Sequence, residues 1–279
     1  MSVMLAILLG ILQGITEFLP VSSSGHLSIL QNIFKVKYTA EEHLLFDVML
    51  HLGTLIAVCI IYRKDIVLMF RAARRLLRGE MNFSAFGDPM IPPARQFILV
   101  VIGTIPLVIA LVVNNAVAKL FAMTGFIGFA LVANGALLYA VDKLIQSGKK
   151  NSRTMSFKDA LIVGLAQAVA LVPGISRTGV TLSVGMSRGL SKSYAMRYSM
   201  LLSLPAIVGS LLVSIAKVFK TGITWKYFPA YIIGMIFAGI TGFLAINLLN
   251  RILKRGRFGR LAFYCMGLGV VSMLLSMII

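Results

Sequence analysis

The sequence predicts an all-α polytopic membrane protein with six full transmembrane helices and two broken, re-entrant helix hairpins in an inverted-topology repeat, a single integral membrane domain over residues 1–279. Three observations predict it. Hydrophobic residues make up 58% of the chain and charged residues 13%, with a mean hydropathy of +0.92, which lies outside the range of soluble domains. Basic residues cluster between long apolar runs. Two further apolar segments are each interrupted halfway by Pro, Gly and Ser.

Read in order, MSVMLAILLGILQGITEFLP carries no basic leader and no small-residue cleavage site, so it is expected to stay in the mature protein. Segment 3–34 is the first broken hairpin and 159–190 the second. Each half is shorter than the ~20 residues that cross about 30 Å of hydrocarbon, and irregular backbone at that depth must be buried in protein or line a wet cavity. Full spans are expected near 46–62, 95–113, 121–141, 194–216, 228–249 and 261–279. The first basic connection holds Arg63, Lys64, Arg71, Arg74, Arg75, Arg78 and Arg95, and the second Lys143, Lys149, Lys150, Arg153 and Lys158. The third holds Arg251, Lys254, Arg255, Arg257 and Arg260. With these in the cytoplasm the spans alternate and Ile279 ends outside; Arg188, Lys192 and Arg197 add to the inner count. Lys35, Lys37, Lys119, Lys217, Lys220 and Lys226 stay outside, and polar residues 78–93 read as a cytoplasmic loop.

Both ends of each broken segment then share one face, outer for the first and cytoplasmic for the second. At one constant offset Ala6 matches Ala160, Gly10 Gly164, Gln13 Gln167, Ser22 Ser176 and Gly25 Gly179. The halves, about 1–141 and 155–279, read as inverted copies whose broken tips meet near the midplane. Cys59 and Cys265 lie in apolar runs and read as buried, unpaired thiols. The formal charge of +18 is not interleaved with aromatics in a soluble module, so no nucleic-acid partner is expected.

Of nine acidic residues, Glu17 falls well inside an apolar helix, where an unpaired carboxylate costs at least a few kcal/mol. Gln13 lies one turn earlier on the same face. The loop Pro20, Val21, Ser22, Ser23, Ser24, Gly25, His26 follows, with consecutive hydroxyls and an imidazole ahead of a half-helix whose free N–H groups favour an anion. His26 is suited to proton transfer near neutral pH. In the second loop, 173–181, Arg177 is a basic residue assignable to neither membrane face. Its planar fork matches phosphate oxygens, and Gly174, Ser176, Thr178, Thr181 and the loop amides complete a shell. Plain structural readings stand beside these: a ligand-free Glu17–Arg177 ion pair, a helix-helix hydrogen bond for Gln13, capping or turn roles for Ser22, Ser23 and Ser24, and a satisfied structural His26. Asp47 and His51, at i and i+4 near an outer helix end, either bind a divalent cation or line the entrance. Arg197 reads as a positive-inside anchor.

GxxQGxxExxPxSSSGH at 10–26 with PGxSRxxxT at 173–181 resembles the bacterial undecaprenyl-diphosphatase family, also called the bacitracin resistance family, over nearly the whole chain. The chain carries the Gln form of the first motif, at Gln13, and has Thr178 where members usually have Ser. The resemblance implies hydrolysis of undecaprenyl diphosphate to the monophosphate and inorganic phosphate, recycling a lipid carrier for wall polymers and giving bacitracin resistance. It implies Mg2+ or Ca2+ dependence, and the residues themselves offer Glu17 and, more weakly, Asp47 as candidate metal ligands. It implies inverted repeats with re-entrant helices. The family's essential Glu, Ser, His and Arg fall on Glu17, Ser23, His26 and Arg177, and Gln13, Ser22, Ser24, Gly174, Ser176, Thr178 and Thr181 are expected around the phosphates.

A polyprenyl diphosphate and bilayer lipids are the expected partners, and the bacterial plasma membrane the expected site, with the pocket open to the outer face. Oligomeric state is left open, a dimer included. The expected mechanism has Arg177 and loop amides holding the terminal phosphate, a cation on Glu17, and attack by Ser23, or by water activated by Glu17, with His26 carrying the proton; a phospho-histidine is the competitor. A polyprenyl-phosphate transporter or flippase is the alternative, because broken helices at the midplane also build transporters. A scaffold would leave Glu17 and Arg177 costly and idle.

Overall fold

The computed structural model describes residues 2–33, 40–80, 88, 91–111, 117, 119–145, 148–221, 227–256 and 258–278. Among them the chain forms eleven α-helices. These are α1 (Val3–Phe18), α2 (Ser23–Ile33), α3 (Ala40–Ile61), α4 (Arg63–Leu77), α5 (Pro92–Leu111), α6 (Thr124–Leu144), α7 (Phe157–Val169), α8 (Arg177–Ser187), α9 (Lys192–Thr221), α10 (Phe228–Lys254) and α11 (Arg260–Leu275). Five contain stretches long and apolar enough to cross a membrane: Leu44–Ile61 in α3, Pro92–Ala110 in α5, all of α6, Lys192–Val218 in α9 and all of α10. The chain is thus a multi-pass membrane protein. Where the sixth span is expected, near 261–279, the described residues form the shorter apolar helix α11, whose 16 residues cover about 24 Å. The loop expected at 78–93 lies largely outside the described residues, as do Lys35, Lys37, Lys226, Arg257, Ile279 and the side chain of Lys220.

Helix α4 occupies a basic connection that the sequence reading left without structure. Asp65 in its first turn and Arg74 and Arg75 in its last complement the helix dipole, and Met69 and Ala72 give it a buried stripe. Arg197 of α9 donates to Asp65 through Nε at 3.0 Å and also through Nη2, so it is an ion-pair partner as well as a basic anchor.

The helix breaks are built alike. Helix α1 stops where Leu19 turns extended and Pro20 removes the next N–H. Ser22 then adopts φ +70° and caps α2, its Oγ accepting from Gly25 N at 3.2 Å. Between α7 and α8, Gly174 takes φ +97°, where a side chain would also collide with Ile127 and Ala130. Ser176 caps α8, accepting from Gly179 N at 3.1 Å. The two caps, Ser22 and Ser176, and their two donors, Gly25 and Gly179, are the pairs that match in the sequence.

Helix α1 packs against α10, α7 against α5, α6 against α11, and α3 against both α9 and α10. Several of these approaches are backbone to backbone: a Cβ on Gly10 would strike the carbonyl oxygen of Gly234, one on Gly164 that of Gly103, one on Gly53 that of Met235 and one on Gly128 that of Gly269. A continuous core including Phe18, Val58, Leu99, Leu138, Leu182, Tyr198 and Leu249 lies behind the breaks. The perimeter exposes Phe70, Phe129, Leu212, Ile240 and Phe263, as a lipid-facing surface does. Cys59 belongs to that perimeter and is exposed, contrary to the expectation of burial, while Cys265 is buried; an apolar run does not reveal which of its faces meets lipid.

At the basic connection before α7, Asp159 is sealed from solvent in a capping box with Ser156. Its carboxylate accepts from Lys150 Nζ at 2.7 Å and from Arg188 Nε at 2.9 Å. Burial opposes the charge, but Lys150, Ser156 and Arg188 outweigh it and hold the carboxyl at about 2, below its ordinary 3.8. Asp159 begins the second broken segment and Arg188 ends it, so its two ends lie side by side.

Candidate active site at the two helix breaks

The two breaks face each other. Gly25 and Gly174 approach so closely that a Cβ on Gly25 would lie 3.1 Å from Gly174 Cα. Asn134, 2% exposed in the middle of α6, joins the loops: its Nδ2 donates to Pro20 O at 3.0 Å and its Oδ1 accepts from Ser176 N at 3.1 Å. Cys265 Sγ donates to the same Pro20 carbonyl at 3.6 Å. Neither Asn134 nor this bridge was anticipated; the available signal was a lone amide inside an apolar span.

Glu17, at the end of α1, is the hub. Its Oε1 accepts from Arg177 Nη2 at 2.5 Å, and its Oε2 from Ser23 Oγ at 2.7 Å and Gln13 Nε2 at 3.0 Å. Arg177 Nη1 also donates to Ser203 O at 3.4 Å. The carboxylate is therefore compensated inside an apolar setting, as burial of charge demands. Ser23 and Arg177 are the first residues of α2 and α8, so two helix N-termini and their unpaired first-turn N–H groups are directed to one place, an arrangement that favours an anion.

That place is a cavity of about 580 Å³, within the range of small-ligand sites. Glu17, Ser22, Ser23, Ser24, Ser176 and Arg177 form one end. The wall continues past His51, Gln167, Ser210 and Ser214 to Leu44, Phe121 and Lys217, with apolar side chains such as Leu107, Leu171 and Ile207 between. Gln167, expected only as the mate of Gln13, is 1% exposed with both amide atoms unpartnered among the described residues.

Other expected site residues stand behind this wall. Gln13 orients Glu17. Thr178 donates to Glu17 O at 3.4 Å, and Thr181 to Arg177 O at 2.8 Å while sharing a 2.6 Å hydrogen bond with Ser199. Gly174 packs on α6. His26 is also behind it: its Nδ1 donates to Ser22 O at 2.8 Å and its Nε2 contacts Tyr264 Oη at 2.7 Å, the rings nearly parallel at 10°. Both nitrogens are occupied. Asp47 offers its backbone carbonyl to His51 Nδ1 at 2.8 Å, and its side chain is not on the cavity wall.

No group of three His, Cys, Asp or Glu close enough to hold a metal occurs among the described residues. Glu17 is the carboxylate on the cavity wall among the described residues, and both its oxygens are taken. The described side chains do not form a metal cage.

Residues 6–271 match the family of the bacitracin resistance protein BacA. The chain belongs to that family. Relatives of this BacA-family chain include the undecaprenyl-diphosphatase of Desulforapulum autotrophicum, 38% identical over 271 residues and 96% of each chain. That of Methanosphaera stadtmanae is 35% identical over 283 residues and 100% of each chain. The undecaprenyl-diphosphatase 3 of Bacillus cereus is 34% identical over 272 residues, 97% of this chain and 96% of its own.

Proposed function

We infer that this chain is an undecaprenyl-diphosphate phosphatase, a membrane hydrolase that releases inorganic phosphate from the lipid diphosphate and leaves undecaprenyl phosphate for cell-wall synthesis, with bacitracin resistance as the consequence. One observation carries the reading from the geometry: a carboxylate, a hydroxyl and a guanidinium, Glu17, Ser23 and Arg177, meet within 2.5–2.7 Å at one end of a cavity between apolar helices. A diphosphate whose polyprenyl tail stays in lipid must present its head group inside the membrane, and this is such a place.

Arg177 is the phosphate clamp, its planar donors and the two helix N-termini matching the terminal phosphate's oxygens. A phosphate drawing Nη2 away from Glu17 frees a carboxylate 2.7 Å from Ser23 Oγ. That carboxylate activates Ser23, or a water in its place, for in-line attack on the terminal phosphorus. Occupation of both His26 nitrogens counts against a phospho-histidine. Mg2+ or Ca2+ is proposed to enter with the diphosphate, held chiefly by its oxygens, as Mg2+ commonly is with phosphate substrates.

The inverted repeat and the re-entrant hairpins belong to this proposal. The matched caps at Ser22 and Ser176, the matched close approaches at Gly10 and Gly164, and the ion pair joining the ends of the second segment support it. Opening to the outer face is supported by the wall's extension to Leu44, Phe121 and Lys217, which lie at helix ends remote from the basic connections.

The test is phosphate release from a polyprenyl diphosphate by purified protein in detergent. Wild type should turn over, Glu17→Ala, Ser23→Ala and Arg177→Ala should each lose about two orders of magnitude or more, and chelation should stop the reaction. Unchanged turnover in all three variants would sink the site. Mg2+ without substrate should leave the melting temperature unchanged; a rise would mean a resident metal site.

A further inference from the structure

The activity needs a proton carrier, and the imidazole that the motif offers, His26, has no nitrogen to spare. Ser22 O can only accept, so His26 Nδ1 bears hydrogen and, in the neutral ring, Nε2 accepts from the Tyr264 hydroxyl. The structure holds another imidazole in the right place. His51 lines the cavity, and its Nδ1 donates to Asp47 O at 2.8 Å. That contact leaves Nε2 as the exchangeable position, with no hydrogen-bond partner among the described residues.

We propose that His51 is the acid–base residue of the cavity, and that His26 is a positioning residue that fixes the Ser22–Ser23 turn. The role rests on the phosphatase reading. Written for Ser23 as nucleophile, Oγ forms a bond to the terminal phosphorus while the bridging P–O bond breaks, its electron pair staying with the lipid monophosphate. The Ser23 proton passes to Glu17, and protonated His51 gives its Nε2 proton to the departing monophosphate oxygen. In the second step a water oxygen bonds to phosphorus, the water's proton goes to His51 Nε2, and the Ser23 Oγ–P bond breaks as Glu17 returns its proton to Oγ. Both groups end as they began, and one water is consumed.

The assignment separates the two histidines physically. Ser22 holds φ +70°, a left-handed conformation unfavourable for a non-glycine residue, and His26 ties down its carbonyl through both the backbone N–H at 3.2 Å and Nδ1. Losing His26 loosens the turn that aims Ser23. Losing His51 leaves that turn intact and removes a proton. Among the described residues, the charged groups that share the cavity wall with His51 are Glu17 from α1, Arg177 from α8 and Lys217 from α9; Asp47 lies on its own helix, and none of the charged wall groups comes from α10.

The experiment compares wild type with His51→Ala, His51→Gln and His26→Ala, following phosphate release from a polyprenyl diphosphate across pH. Both His51 variants should lose roughly a hundredfold in kcat with KM within about threefold, and the pH dependence of kcat should differ in shape from that of wild type. Millimolar imidazole, entering the space vacated in His51→Ala, should restore activity at least about tenfold, and should not rescue His26→Ala. His51→Ala at more than about a third of wild-type kcat, or rescue of His26→Ala instead, overturns the assignment. Diethyl pyrocarbonate provides a readout independent of turnover: peptide mass spectrometry of the wild type should find His51 modified well ahead of His26. The reverse order overturns the placement even if the phosphatase reading stands. A wild type that releases no phosphate while His51 is modified first brings down the phosphatase reading and its acid–base step alone, leaving the exposure of His51 established.

Discussion

Glu17 and Arg177, on different broken segments, close to 2.5 Å at the point where α1 ends and α8 begins. Each is the other's compensation for burial, with side chains 6% and 18% exposed, and each faces the cavity. A pair of this kind is weak evidence for stability, because two well-packed apolar residues serve a fold as well or better. On the proposed function, what the pair accomplishes is to store a phosphate-binding cation beside a base.

Separating the partners should therefore divide stability from activity. Glu17→Gln alone leaves the Arg177 charge unbalanced and should lower stability by on the order of 3 kcal/mol. Glu17→Gln combined with Arg177→Met should recover part of that loss and no activity. Arg177→Lys keeps the charge but not the planar fork and should lose at least about tenfold in kcat/KM. Thermal melts in detergent and phosphate-release kinetics on the same preparations check all three.

Asn134→Leu removes the amide that holds both loops, strands Ser176 N and leaves Pro20 O with only the weak Cys265 thiol donor. About 2–4 kcal/mol should go, and kcat should fall although no cavity-wall residue has been touched. Asn134→Asp, retaining an acceptor for Ser176 N but no donor for Pro20 O, should be intermediate or worse. A melting temperature equal to wild type in Asn134→Leu would show that the loops find each other without it.

Glycine variants should sort by what they strike. Gly10→Ala and Gly164→Ala drive a methyl into the carbonyls of Gly234 and Gly103 and should cost at least about 2 kcal/mol each or prevent folding. Gly209→Ala, in α9 with nothing within 4 Å of the new carbon, should be neutral or stabilise by up to about 1 kcal/mol. Expression yield and melting temperature distinguish the two classes.

Asp159 should give the fold an acid limit. Its carboxyl is held at about 2 when folded, against 3.8 ordinarily, so its contribution to stability is present in full above about 4 and drains away as pH falls toward 2. Asp159→Asn should flatten that part of the stability–pH curve. Circular dichroism melts from pH 6 to 2 read it directly.

Much of the site was legible because charge is expensive in hydrocarbon. Glu17 and Arg177 had to have partners, and the Pro, Gly and Ser runs beside them marked where the helices break; Ser23 followed from adjacency. The directions of side chains were not legible. His26 follows the serines, but Ser22's positive φ turns its ring back onto the turn and toward Tyr264, a residue 238 positions away. His51 was visible as a neighbour of Asp47, yet its partner there is a carbonyl, which no sequence pattern distinguishes from a carboxylate. Asn134 and Gln167 are amides in apolar helices, inexpensive enough to have many explanations, and only the folded chain shows one fastened at both loops and the other unpartnered.

The Asn134 bridge has one more implication. A carrier that exposes its load first to one side and then to the other needs its halves to rock apart at the midplane. Here one side chain grips the first helix break at Pro20 with its donor and the second at Ser176 with its acceptor. Rocking would tear that grip at each cycle, whereas hydrolysis needs it kept. The molecule is fastened as an anvil is, not hinged as a gate.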